Sequence, residues 1–134
     1  MNQESARSLV DRQLDRIRTM PPLIRAMTQD SNAWVVGSQA EFREGRINIK
    51  PTSDWDVIVP YAEWQDVMTR LASAGVLEKA GFSSVGGVRT TIPAKNGGTI
   101  GLDIWPGEIS HHMMKPFTHV AWQPKTGSVW VRGE

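Results

Sequence analysis

Ser53-Asp54-Trp55-Asp56-Val57-Ile58-Val59 is the stretch on which the fold assignment turns. Val57, Ile58 and Val59 are β-branched and apolar, as in a buried strand that carries polar groups only at its end, and Pro60 stops it. Residues two apart on a strand point the same way, so Asp54 and Asp56 leave one side while Trp55 and Val57 leave the other. The turn Asn96-Gly97-Gly98 opens a second strand, Thr99 to Trp105. There Leu102 and Ile104 alternate against Gly101 and Asp103, so Asp103 lies opposite the apolar pair. Carboxylates gathered on adjacent strands repel one another unless cations sit among them, and the arrangement therefore asks for a function.

Three hard oxygen donors suit Mg²⁺, which keeps several waters and completes its shell with substrate phosphates; Mn²⁺ can take its place. Two such ions about 3.5–4 Å apart activate an attacking hydroxyl and steady a leaving pyrophosphate, which is the chemistry of nucleotidyl transfer. The chain has no cysteine, so zinc and iron–sulfur readings of the same acids are poor. Upstream, Ala33-Trp34-Val35-Val36 reads as a short buried strand that stops at Gly37, where the backbone can turn tightly against a ligand. Ser38 adds a hydroxyl and, if a helix starts there, N–H groups that attract phosphate.

The order of apolar strand, Gly37-Ser38, short connecting helix, Asp54-Trp55-Asp56 and a later strand bearing Asp103 resembles the DNA polymerase beta-like nucleotidyltransferase superfamily, particularly its minimal single-domain members. The resemblance covers roughly Ala33 to Trp105. It implies an α+β polymerase beta-like fold, a mixed β-sheet with helices packed on one face. It also implies nucleotide phosphates at Gly37 and Ser38, and catalytic metal held by Asp54, Asp56 and Asp103. The spacer before the acidic pair is a few residues longer than is usual in that family, through an insertion over Glu41 to Lys50. Arg43, Arg46 and Lys50 fall within it, between the phosphate turn and the acids, where they either meet a triphosphate or form a solvated loop.

At 134 residues with 40% hydrophobic content, the chain fits one domain with a modest core. The expected organisation is N-terminal helices over 1–30, a catalytic core over 33–105 and a C-terminal hairpin over 117–132. Fifteen basic residues against 14 acidic ones leave a net charge of +1, too even to advertise general nucleic-acid binding. No apolar run is long enough to span a bilayer and the N-terminus lacks signal-peptide order, so a cytoplasmic protein with no membrane association is expected.

Moving outward from the acids, Ala6, Leu9, Val10, Leu14 and Ile17 recur at helical spacing, capped by Ser5 and broken at Met20-Pro21-Pro22. A short helix over Pro22 to Thr28 then delivers the chain to the Ala33 strand. After Pro60, Trp64, Val67, Met68 and Leu71 form one apolar stripe of a core-facing helix that stops near Gly75. Val88 to Ile92 should pair antiparallel with the Asp103 strand, which puts Arg89 either in reach of the acids or at a wet edge. A polar helix or turn is expected around Glu108 to Met114, and a hairpin around Pro124-Lys125-Thr126-Gly127.

Other residues carry less. His111, His112 and His119 have no acid or cysteine at ligand spacing and read as surface or capping groups. Trp34 and Trp64 read as core, and Trp55 and Trp105 as packing beneath the acids rather than as base-stacking platforms. Ser38 has no histidine placed to activate it as a nucleophile. The functional expectation is a Mg²⁺-dependent enzyme that moves a nucleoside monophosphate from a nucleoside triphosphate to the hydroxyl of a small molecule, protein or short RNA. The alternative is a regulatory or antitoxin-like minimal nucleotidyltransferase subunit acting with a partner protein, on the ground that little chain follows the catalytic module. In a third, metal-free reading the acids are exposed strand ends.

Overall fold

The computed structural model describes residues 20–43, 53–82, 86–94, 97–108 and 120–131. The expected first helix, Arg46, Lys50, most of the polar segment after Glu108, and the histidines at 111, 112 and 119 lie outside the described residues. The described chain is α+β, with a seven-stranded mixed sheet. In order come α1 (Pro22–Gln29), β1 (Trp34–Val36), α2 (Gly37–Arg43), β2 (Trp55–Val59), a 3₁₀ turn (Tyr61–Glu63) and α3 (Trp64–Ser73). They are followed by β3 (Gly81–Phe82), β4 (Val88–Pro93), β5 (Thr99–Pro106), β6 (Val120–Gln123) and β7 (Ser128–Val131).

Local chemistry explains most of these limits. Pro22 at the start of α1 gives up an N–H that a helix leaves unbonded anyway. At the other end of α1, the Ser31 hydroxyl donates to the Met27 carbonyl at 2.8 Å. Pro60 ends β2 in the extended conformation, and its carbonyl accepts the Glu63 N–H at 2.9 Å to close the 3₁₀ turn that leads into α3. The β4–β5 hairpin is closed by the Ala94 N–H donating to the Gly98 carbonyl at 2.8 Å, with Gly97 at φ 87°. That bond realises the turn expected from Asn96-Gly97-Gly98.

The strands lie in the order β3-β4-β5-β2-β1-β6-β7. Every neighbouring pair is antiparallel except β2 with β5. The strand over Val88 to Ile92 pairs as expected, with Arg89 opposite Asp103, and the expected C-terminal hairpin is β6–β7.

One face of the sheet carries the main core. Val35, Trp55, Val57, Val59, Leu102 and Ile104 pack there with Ile24 and Met27 of α1, Ala40 of α2, and Val67 and Leu71 of α3. All three described helices therefore contribute to the same sheet face, and Trp64 and Met68 close the margin of that core. The opposite face carries a smaller cluster in which Val36, Ile58 and Ala121 are buried beneath Trp34, Trp105 and Trp130. This corrects the expectation for Trp105 and places Trp34 against the smaller of the two apolar clusters. Trp34 shares its face with Val36, which pairs with Asp56, and Trp105 shares its face with Asp103, so strand alternation puts both rings on the acid-bearing side. Trp55 does lie beneath the acids, in the main core.

Leu102 is fully buried on a central strand. Leu102→Ala should therefore cost about 2–5 kcal/mol of unfolding free energy, measured by urea denaturation with an unchanged slope.

Candidate active site

The site is built where β2 and β5 run side by side in parallel. Their register sets Asp56 directly beside Asp103, with Trp55 beside Leu102 and Val57 beside Ile104. Neighbouring strands are about 4.8 Å apart, so two outward carboxyls at one register position stand side by side. The Asp56 and Asp103 carboxyls lie close enough for each to influence the other's ionisation. Burial, then the charges of Asp103 and Asp54, push the Asp56 carboxyl from 3.8 up to about 6, against the opposing pull of Arg89. Asp103 is also raised, chiefly by burial, with Arg89 opposing and the Asp54 charge adding to the rise.

Asp54 lies one residue ahead of β2 and is half exposed. Continuing the β2–β5 register by one step on that face puts it opposite Gly101. The carboxylate occupies the room that glycine leaves, since a Cβ at Gly101 would stand 2.5 Å from its Oδ1. Gly37 makes a second close approach, at the junction of β1 and α2. Its φ is 70°, and a Cβ there would stand 2.6 Å from Asp56 Oδ2. Val36 pairs with Asp56, so the turn follows the acid directly, and Ser38 sits half-buried in the first turn of α2.

Arg89 reaches the acids from β4. Its Nη2 lies 3.6 Å from Asp54 Oδ2 and its Nε 3.6 Å from Asp103 Oδ1. Of the two placements open to it from the sequence, the structure has the first.

Arg43 is elsewhere. It is buried at the end of α2, stacked 4.4 Å from the Trp55 ring, with Nη1 donating to Gln39 Oε1 at 2.5 Å. The Gln39 amide in turn donates to the Ser53 carbonyl at 3.0 Å. Trp55 points to the face opposite Asp56, so Arg43 braces the approach to β2 from the core side and does not stand among the acids.

The structure thus brings together Asp54, Asp56, Asp103 and Gly37, with Ser38 next in the chain. Sequence reading missed the role of Gly101. Its signal was a glycine inside a strand, two residues from an acid and on the same face, where strand glycines often mark a close approach.

The donor chemistry fits a hard divalent cation, and both glycines admit a carboxylate closer than a Cβ would allow. Among the described residues, however, no three acidic or histidine side chains already close on one point as a ligand cluster. Asp54 and Asp103 are instead spanned by a guanidinium. Among the described residues no helix is long and apolar enough to cross a membrane. No family model matches this chain, and comparison with characterised proteins finds no match.

Two outcomes follow from this geometry. Gly101→Ala should change stability by no more than about 1 kcal/mol, because the atoms it meets are the end of a half-exposed side chain, yet it should expel Asp54 from its place. Mg²⁺ titration followed by NMR would then show weakened binding to a folded protein. The second outcome concerns pH. The folded chain holds the Asp56 proton more tightly than the unfolded chain does, so in chelator this group lowers stability as pH rises from about 4 to about 6. Asp56→Asn should gain on the wild type across that window and no further above it, which paired thermal melts at each pH would read.

Proposed function

We propose that the chain is a metal-dependent nucleotidyltransferase that moves a nucleoside monophosphate from a nucleoside triphosphate to an acceptor hydroxyl, with the polymerase beta-like fold. The observation that carries this reading is the convergence of Asp54, Asp56 and Asp103 beside the Gly37 turn, from three separate chain segments. A packing role accounts for it only in part, because three carboxylates at one end of a strand pair oppose folding and Arg89 sets a single positive charge against them.

Asp54 and Asp56 would hold both ions and Asp103 one of them. When bound, Mg²⁺ or Mn²⁺ supplies the Lewis-acid charge that activates the acceptor hydroxyl and steadies the departing pyrophosphate. Asp103, largely buried and with its carboxyl raised above the usual range, is suited to take the acceptor's proton at a carboxylate oxygen. The backbone at Gly37 and the Ser38 hydroxyl lie on the side of Asp56 where triphosphate oxygens can be met. The main core behind β2 and β5 fixes these positions, and residues on strands hold such geometry more tightly than residues on loops.

A second reading, a subunit that works with a partner protein, is favoured by one observation. β3 is an edge strand of the sheet, and Phe82 on it is 83% exposed.

Thermal melting with each nucleoside triphosphate, with and without Mg²⁺, separates these readings. A ligand at a hundredfold excess over its Kd adds about 2.7 kcal/mol, a shift of several degrees for a chain of this size. The enzyme reading expects a Mg²⁺-dependent rise with at least one nucleotide, and it expects Asp56→Asn to fold while losing both that rise and all turnover. The absence of any nucleotide-dependent shift in the wild type would remove it.

A further inference from the structure

We infer that Arg89 is a tethered counter-cation that holds the carboxylates together in the metal-free chain and is displaced when a divalent ion enters, so that metal affinity is set by competition with this side chain. The inference rests on the proposed function and adds a regulator to the same site. Its basis is the placement of one guanidinium across two acids from different segments. Arg89 lies directly opposite Asp103 on the neighbouring antiparallel strand and touches Asp54 ahead of β2, with both separations at 3.6 Å.

Those separations describe charge pairing without directional hydrogen bonds, which require closer approach. The side chain is also 70% exposed, so it can swing toward solvent without breaking into the core. These are properties of a placeholder more than of a structural clamp. A guanidinium is confined here by attraction alone, and its own charge repels any divalent ion that reaches for the same oxygens.

Asp54 explains why the chain keeps a cation in this position. It is half exposed, lies outside the strand, and faces the negative charge of Asp103. Without a positive neighbour its carboxylate would turn away to water, and the ligand set would have to be reassembled each time metal arrived. Arg89 keeps the acids close at the expense of some metal affinity. It is also consistent with the absence of a closed ligand cluster among the described residues, since the guanidinium already pairs with oxygens of Asp54 and Asp103.

The test compares Mn²⁺ binding, followed by the electron paramagnetic resonance signal of free Mn²⁺, in wild type, Arg89→Gln and Arg89→Lys. Arg89→Gln should bind Mn²⁺ about three- to tenfold more tightly at low salt, a difference that narrows as salt screens the charges. Arg89→Lys keeps the charge and should bind as the wild type does. Arg89→Gln should also melt below the wild type in chelator, with the deficit closing at saturating Mn²⁺. Equal Mn²⁺ affinity in wild type and Arg89→Gln, or a deficit that persists at saturation, overturns the inference and leaves the proposed function standing. Absence of Mn²⁺ binding by all three proteins overturns both. Should Arg89→Gln not fold, NMR of the Arg89 Nε–H group in the wild type decides: Mg²⁺ should move its resonance to that of a solvated arginine, and an unmoved resonance overturns the inference.

Discussion

The parallel contact between β2 and β5 is the constraint on which the site depends, because it alone puts Asp56 and Asp103 at one register position. A shift of one residue in that pairing would turn one acid toward the apolar layer and bury an unpaired charge. The register is held from behind. Trp55, Val57, Leu102 and Ile104 are buried on the opposite face, and alternation leaves their neighbours no choice of side. Apolar packing on one face thereby forces charge repulsion on the other. The guanidinium of Arg89 moderates that repulsion, and the repulsion that remains helps to raise the Asp56 carboxyl to about 6.

The division of the sheet into two unlike faces has a functional consequence. The helix-covered face contributes stability and stiffness, while the other places acids, two closely approached glycines and a tryptophan-covered patch along adjacent rows. Arg43 links the two sides of β2. Stacked on Trp55 and tied through Gln39 to Ser53, it fixes the chain immediately before Asp54. An arginine that looked available to a substrate thus holds the backbone from which a candidate ligand projects.

Much of the strand pattern was legible from local sequence. The run Val57-Ile58-Val59, the stop at Pro60, the alternation around Asp103 and the glycine turn before Thr99 each depend on a period or a backbone preference that neighbouring residues express alone. Tryptophan placement was less legible. Size and apolarity suggested core for Trp34, yet parity with Val36 and pairing to Ile58 put it on the acid-bearing face. Arg43 defeated sequence reading for the same reason: a charged residue at the end of a short helix carries no mark of the aromatic ring it will cover.

By itself the sequence determined which residues share a strand face, where the turns fall, and that hard oxygen donors rather than thiolates are on offer, because these follow from side-chain period and composition. Only the tertiary structure decided that β2 and β5 are parallel neighbours, that Gly101 makes room for Asp54, and that Arg89 spans two acids. Those are contacts between segments distant in the chain. Their register is chosen by how the whole apolar layer packs, and no local window of residues contains that information.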